Sequence, residues 1–209
     1  MSIAAVVLAA GAGSRFGGGK LLAELGGRPI LGHVVEAARA AGLDPIVVVV
    51  PPTGELDGLD LGAVRRVTNP TPQEGLSSSV RIGLRELDGE PDVTAAVILP
   101  GDQPLVRPEV IQALLAAAGE SPAPPFVVPR YAADGAPNPI LARRSIWRLA
   151  DELVGDRGFG PVLATRPELV RFVAVPGSNP DIDTRADLAG VAEAGWGAQV
   201  RAKQDQVDR

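Results

Sequence analysis

Arg15 and Lys20 stand five positions apart in the run GAGSRFGGGK, residues 11–20, among closely spaced glycines. Gly11, Gly13 and Gly17 let backbone N–H groups come close to an anion. Arg15 and Lys20 can add charge-assisted contacts to phosphate oxygens. The ordinary alternative is a mobile glycine-rich turn with solvated charges. A Walker A loop would need glycine at Ser14 and Ser or Thr at Leu21. The dinucleotide pattern G-x-G-x-x-G puts its third glycine on Phe16, and the second apolar run ends in VVPP with no acid to hold a ribose. The pattern G-x-x-x-R-[FM]-G-x-x-K fits at every position. Phosphate binding is therefore the favoured reading of this loop.

Carboxylates recur at two later places. In VILPGDQPLV, residues 97–106, Asp102 follows an apolar run. One carboxylate beside a polyphosphate suits Mg²⁺, which is commonly held by one or two carboxylates, phosphate oxygens and water. The competing explanation is a strand–helix turn stiffened by Pro104. In NPDIDTRADL, residues 179–188, Asp181 and Asp183 alternate and point the same way if the chain is extended. One of them can complete a metal site, while Thr184 and Asp187 read as the cap and first turn of a helix.

Nucleophilic chemistry has little to work with. The 209 residues include one histidine, His33, and no cysteine, which excludes a disulfide framework and a thiolate metal site. The serines of GLSSSV, residues 75–80, lack a neighbouring base and fit a helix start. A net charge of −5 argues against a general nucleic-acid binder. The apolar start IAAVVLAA is too short to span a bilayer and lacks a basic leader, so it reads as a strand. A cytoplasmic protein without nucleic-acid or membrane partners is the expectation.

Alternating apolar runs and helical patterns must carry these groups. Strands are predicted at 3–9, 45–50, 63–69 and 95–100, with helices at 29–41, 77–87 and 107–118. The second half adds short strands at 125–131, 138–144 and 169–175, and helices at 145–154, 159–165 and 184–195. The expected fold class is α/β: a doubly wound, mostly parallel, Rossmann-like sheet with helices on both faces. In strand order 3-2-1-4, Asp102 would face the glycine-rich loop across the switch point. Residues 1–195 form one domain in this reading, and 196–209 a polar tail.

LAAGAGSRFGGGK, NPTPQEGLSSSVRIGL, PGDQP, NPILARRSIWRLADELVGDRGFGPVL and DIDTRADL occur in the same order in the MobA-like nucleotidyltransferases. Over residues 3 to 190 the chain resembles that family, and within it the molybdenum cofactor cytidylyltransferases. The resemblance implies a nucleotidyltransferase fold and Mg²⁺-dependent transfer of a nucleoside monophosphate from a triphosphate to a substrate phosphate, releasing pyrophosphate. It implies that Lys20 and Arg15 bind the triphosphate and that Lys20, Arg15 and Asp102 are catalytic. Leu8, Ala9, Ala10, Gly11, Ala12, Gly13, Lys20, Asn69, Gly75, Ser77 and Ser78 would contact the nucleotide, and Asp102 and Asp183 the Mg²⁺. Asn138, Pro139 and Asp156 would meet the acceptor. LAAG resembles the cytidylyl branch, where guanylyl relatives usually read LAGG, so CTP is the expected nucleotide and molybdenum cofactor the expected acceptor. A molybdoenzyme or its chaperone is the implied protein partner. Phe16 replaces the commoner methionine, and Pro137-Asn138-Pro139 replaces Gly-His-Pro of many relatives. Asn138 can donate and accept hydrogen bonds but cannot serve as a base. A guanylyltransferase or sugar-phosphate nucleotidyltransferase of the same fold, and a nucleotide-binding protein without turnover, are the alternatives.

Overall fold

A computed structural model describes residues 1–11, 13–133 and 136–193. The chain order is β1 (Ser2–Leu8), β2 (Glu24–Leu25), β3 (Arg28–Pro29), α1 (Ile30–Ala40), β4 (Ile46–Val50), β5 (Arg65–Thr68), α2 (Leu76–Arg85), β6 (Val93–Pro100) and α3 (Pro108–Ala118). Then follow β7 (Phe126–Tyr131), β8 (Ile140–Arg143), α4 (Gly160–Thr165), β9 (Val170–Val175) and α5 (Arg185–Val191). A seven-stranded sheet has the order β5-β4-β1-β6-β8-β7-β9. Its first four strands are parallel and in the predicted 3-2-1-4 order; β8 runs antiparallel to β6 and β7.

The unbroken apolar character of β1 and β4 follows from burial on both faces. Ala5, Val7 and Val48 pack under Leu31, Val34 and Val35 of α1 and Ile111 and Leu114 of α3. Ala4, Val6 and Val47, one residue out of phase, pack against Val80 and Leu84 of α2 and against Trp147 and Phe159. The period-two alternation of a strand thus divides one apolar run between two cores.

One prediction changes. The helix expected at 145–154 is a 3₁₀ segment, Arg144–Glu152. Its buried Trp147 and Ala150, followed by Leu153, recur every three residues, which matches three residues per turn. The last helix has its described part at Arg185–Val191, and its expected end at 195 lies outside the described residues, as do Ala12 and the tail 196–209. Sequence patterning also missed the short antiparallel pairing of β2 with β3.

Parallel pairing brings the carboxyl ends of β1, β4, β5 and β6 to one edge. Because β8 is antiparallel and Ile140 pairs with Ile98, the segment that enters β8 arrives at the same edge. Ligands of open α/β sheets bind at such an edge.

Candidate active site

Four charged side chains separated widely in sequence meet there. Lys20 Nζ donates to Asp102 Oδ2 at 2.7 Å and to Asp183 Oδ1 at 3.0 Å. Arg15 lies 2.7 Å from the other oxygen of Asp183. The Lys20 side chain is only 10% exposed, whereas Arg15 is 75% exposed, so solvent screens the arginine pair far more. Burial works to lower the Lys20 pKa, but hydrogen bonds and charge from Asp102 and Asp183 outweigh it and hold the ammonium above its ordinary value. Lys20 is therefore a firm cation at neutral pH.

The loop geometry explains the glycines. Gly13 has φ +56°, and a Cβ there would lie 3.3 Å from Lys20 Cβ. Phe16 is buried with Ile30 and Ile182, so the loop that carries Arg15 is packed directly against the segment that carries Asp183. The guanidinium of Arg185 covers the ring, 5.0 Å from its centroid.

Asp102 and Asp183 are held together by a second layer of contacts. The Ile182 N–H donates to the Asp102 carbonyl oxygen at 3.0 Å. Gln103, nearly fully buried, donates to Asp181 Oδ1 at 2.7 Å and accepts from Asn179 Nδ2 at 3.0 Å. Thr184 caps α5 in a capping box with Asp187, and the Asp187 carboxylate also accepts from the Asp183 N–H at 3.0 Å. Sequence reasoning had the cap but missed the structural work of Gln103 and Asn179; buried amides in motifs of small polar residues were the available signal. Desolvation, then the Asp102 charge, pushes the Asp181 carboxyl above its usual range, against the hydrogen bond from Gln103.

Two clefts share these carboxylates. The first, about 440 Å³, is lined by Leu8, Ala10, Gly11 and Gly13 on one side and by Pro72, Gln73, Gly75, Leu76 and Ser79 on the other. Arg15, Lys20, Asp102 and Asp183 also line it. The second, about 370 Å³, has aliphatic and aromatic walls, including Val80, Ile98, Ile140, Phe159 and Leu163, with Asn138, Asp156, Arg157 and Asp181 among its polar groups. Arg15, Asp102 and Asp183 line both clefts.

The predicted contact residues divide between wall and scaffold. Ala10, Gly11, Gly13 and Gly75 line the first cleft, and Ala9 lines a small recess of about 80 Å³ behind the loop. Asn69, Ser77 and Ser78 are buried and line neither cleft. Asn69 Nδ2 lies 2.8 Å from Ser78 Oγ and 3.0 Å from Ser79 Oγ, and its Oδ1 accepts from Thr71 N–H at 2.9 Å. Asn69, Ser78 and Ser79 thus satisfy one another and brace the 69–75 loop against α2. Pro72, Gln73, Leu76 and Ser79, their neighbours in the same segment, line the first cleft instead.

On the acceptor side, Asn138 lines the second cleft, while Pro139 is buried behind it. Tyr131 donates its hydroxyl to the Asn138 carbonyl oxygen at 2.8 Å, and burial pushes its pKa up to about 12, which keeps that donor protonated. Asp156 lines both clefts and accepts from the Leu76 N–H at 3.2 Å, capping α2 from a distant loop. Gly75 makes this approach possible: it has φ +88°, and a Cβ would fall 2.5 Å from both Asp156 Oδ1 and the Gly155 carbonyl carbon. His33 Nε2 lies 2.7 Å from the Leu25 carbonyl oxygen and lines neither cleft, which removes it as a base at this site.

Among the described residues no group of three or more His, Cys, Asp or Glu could hold a metal, and no helix is long and apolar enough to cross a membrane. The carboxylate pair nevertheless suits a hard divalent cation, since an oxygen from each reaches the same point, marked by Lys20 Nζ. Water and phosphate oxygens would complete its coordination.

Residues 5–170 match the family model described as MobA-like NTP transferase domain. The chain is 40% identical over 133 residues to the bifunctional protein GlmU of Sorangium cellulosum, covering 57% of this chain and 28% of that protein. It is 39% identical over 127 residues to the 2-C-methyl-D-erythritol 4-phosphate cytidylyltransferase of Frankia casuarinae, covering 55% and 43%. The chain thus spans less than half the length of these curated relatives. Among solved structures, Rv0371c of Mycobacterium tuberculosis superposes with a TM-score of 0.81 at 29% identity, covering 92% of this chain and 98% of that one. A manganese complex of Rv0371c superposes with a TM-score of 0.76 at 27% identity, covering 92% and 99%.

Proposed function

The chain belongs to the MobA-like NTP transferase domain family, and we propose that it is a nucleotidyltransferase that moves CMP from CTP onto a phosphate-bearing acceptor. The observation that carries this reading is the meeting of two clefts at Arg15, Asp102 and Asp183. A nucleoside triphosphate fits the first cleft, with its phosphates toward Lys20 and the glycine-rich loop. The acceptor fits the second and reaches the α-phosphorus at the seam.

An oxygen of the acceptor phosphate attacks the α-phosphorus, and the bond to the bridging oxygen of pyrophosphate breaks in line. No protein nucleophile is needed, so positioning and charge neutralisation supply most of the rate. Lys20 and Arg15 draw the triphosphate into place and stabilise the charge on departing pyrophosphate. Asp102 and Asp183 would hold Mg²⁺, which neutralises charge on the phosphate oxygens when bound. The manganese complex of Rv0371c supports a divalent-metal site in this fold.

CTP is favoured because the buried Ala10 methyl narrows the wall on which a base would rest. The similarity to a cytidylyltransferase supports the same choice. For the acceptor we favour a molybdopterin-type phosphate. The second cleft presents aliphatic and aromatic walls suited to a flat ring system. The similarity to a 2-C-methyl-D-erythritol 4-phosphate enzyme supports a polyol phosphate as the second reading. A molybdoenzyme or its chaperone is the protein partner that the first reading entails.

Purified protein should be offered CTP, GTP, ATP and UTP against molybdopterin-type and polyol phosphate acceptors, with pyrophosphate release measured. The reading expects release with CTP and the ring-bearing acceptor. Release with a polyol phosphate selects the second reading, and no release with any pair leaves a binding protein without turnover.

A further inference from the structure

The point on which the two carboxylates converge is occupied by the chain itself. Lys20 Nζ sits 2.7 Å from Asp102 Oδ2 and 3.0 Å from Asp183 Oδ1, on a side chain that is 10% exposed. A divalent cation bound through the same oxygens, at about 2.0–2.1 Å for Mg²⁺, would fall where the ammonium is. Two cations cannot share that place. Arg15 poses no such conflict, because it is largely exposed and pairs with Asp183 through Oδ2 rather than Oδ1.

Lys20 also lines the first cleft, within reach of phosphates lying along the glycine-rich loop. Its four-carbon stem lets the ammonium change partners by rotation alone. We infer that Lys20 holds the cation seat in the nucleotide-free protein, and that an arriving triphosphate vacates the seat by drawing the ammonium onto its own oxygens. This rests on the reading of Asp102 and Asp183 as metal ligands. Divalent cation and triphosphate then bind cooperatively. The carboxylates stay neutralised when no nucleotide is present, and the cation alone binds weakly. By linkage, the factor by which triphosphate tightens the cation equals the factor by which the cation tightens triphosphate.

The test is a Mn²⁺ titration of the full chain, followed by the paramagnetic resonance signal of the free ion. It is run alone and with a saturating α,β-methylene analogue of CTP whose own Mn²⁺ affinity is measured separately. Wild type, Lys20→Met and Asp102→Asn are compared, with thermal unfolding to verify that each variant is folded. Lys20→Met should bind Mn²⁺ without nucleotide about tenfold or more tighter than wild type. The analogue should tighten Mn²⁺ in wild type beyond its own affinity, and should do so much less in Lys20→Met. Equal Mn²⁺ affinity in wild type and Lys20→Met, with Asp102→Asn still abolishing it, overturns the inference and leaves the carboxylate site standing. Mn²⁺ binding unaffected by Asp102→Asn removes the metal reading and the inference together. No tightening by the analogue in wild type also overturns the inference.

Discussion

Lys20 and Asp102 are 82 residues apart in sequence, yet Lys20 Nζ donates to Asp102 Oδ2 at 2.7 Å. The pair joins the loop after β1 to the loop after β6, the neighbouring strands at the switch point of the sheet. Binding and catalysis in the proposed reaction both depend on this junction, and the first prediction below follows from it.

Lys20→Ala should lower kcat/KM for the triphosphate on the order of 100-fold or more, as expected for loss of a partly buried group aimed at developing charge. Arg15→Ala should cost less, about tenfold, because its side chain is 75% exposed and screened. Steady-state kinetics with varied triphosphate provide the measurement. Wild-type kinetics in both variants would refute the phosphate reading of the loop.

Ala10→Gly should relax the choice of base. A methyl in a tight pocket discriminates by roughly 1–3 kcal/mol, so the CTP over GTP ratio should fall tenfold or more while transfer persists. Competition between the two nucleotides at equal concentration gives the ratio directly. A wild-type preference for GTP would contradict the role assigned to Ala10.

Gly75→Ala should destabilise the fold by about 2–3 kcal/mol, combining left-handed backbone strain with the clash against Gly155 and Asp156. A urea midpoint close to wild type would show that the 155–156 turn can move aside.

Asp181→Asn should stabilise the nucleotide-free protein at neutral pH. Its carboxyl is raised in the folded state by desolvation and by the Asp102 charge, so the folded protein is penalised once that carboxyl ionises. The penalty is absent below the unfolded carboxylate value near 3.8 and grows as pH rises through the folded one. Thermal midpoints should therefore favour Asp181→Asn at pH 7, with the advantage fading in acid. An advantage that is constant with pH would point to a cause other than this charge.

The doubly covered centre of the sheet was readable because IAAVVLA, PIVVVV and AAVILP are unbroken apolar runs, as strands buried on both faces require; the order of its first four strands came from the fold class. The 3₁₀ character of 144–152 was not readable. Over nine residues the apolar positions are too few to separate a period of 3.0 from one of 3.6. At the site, Lys20, Arg15, Asp102 and Asp183 were legible because they stand beside glycine-rich or apolar runs in motifs that resemble one family in order. Asn69, Ser77 and Ser78 were legible as polar residues of a nucleotide-side segment, but not as buried ones. The mutual satisfaction of Asn69, Ser78 and Ser79 depends on the turn at 69–75 folding back onto α2, which sequence spacing does not encode.

Transfer at the seam of the two clefts is tested most directly by following label from the nucleotide. CTP carrying ³²P at the α-position is incubated with acceptor and Mg²⁺, and the products are separated. The account predicts labelled acceptor and unlabelled pyrophosphate in equal amounts. Label recovered in free CMP, or transfer of label to the acceptor only from γ-labelled CTP, would contradict it by showing hydrolysis or phosphoryl transfer instead.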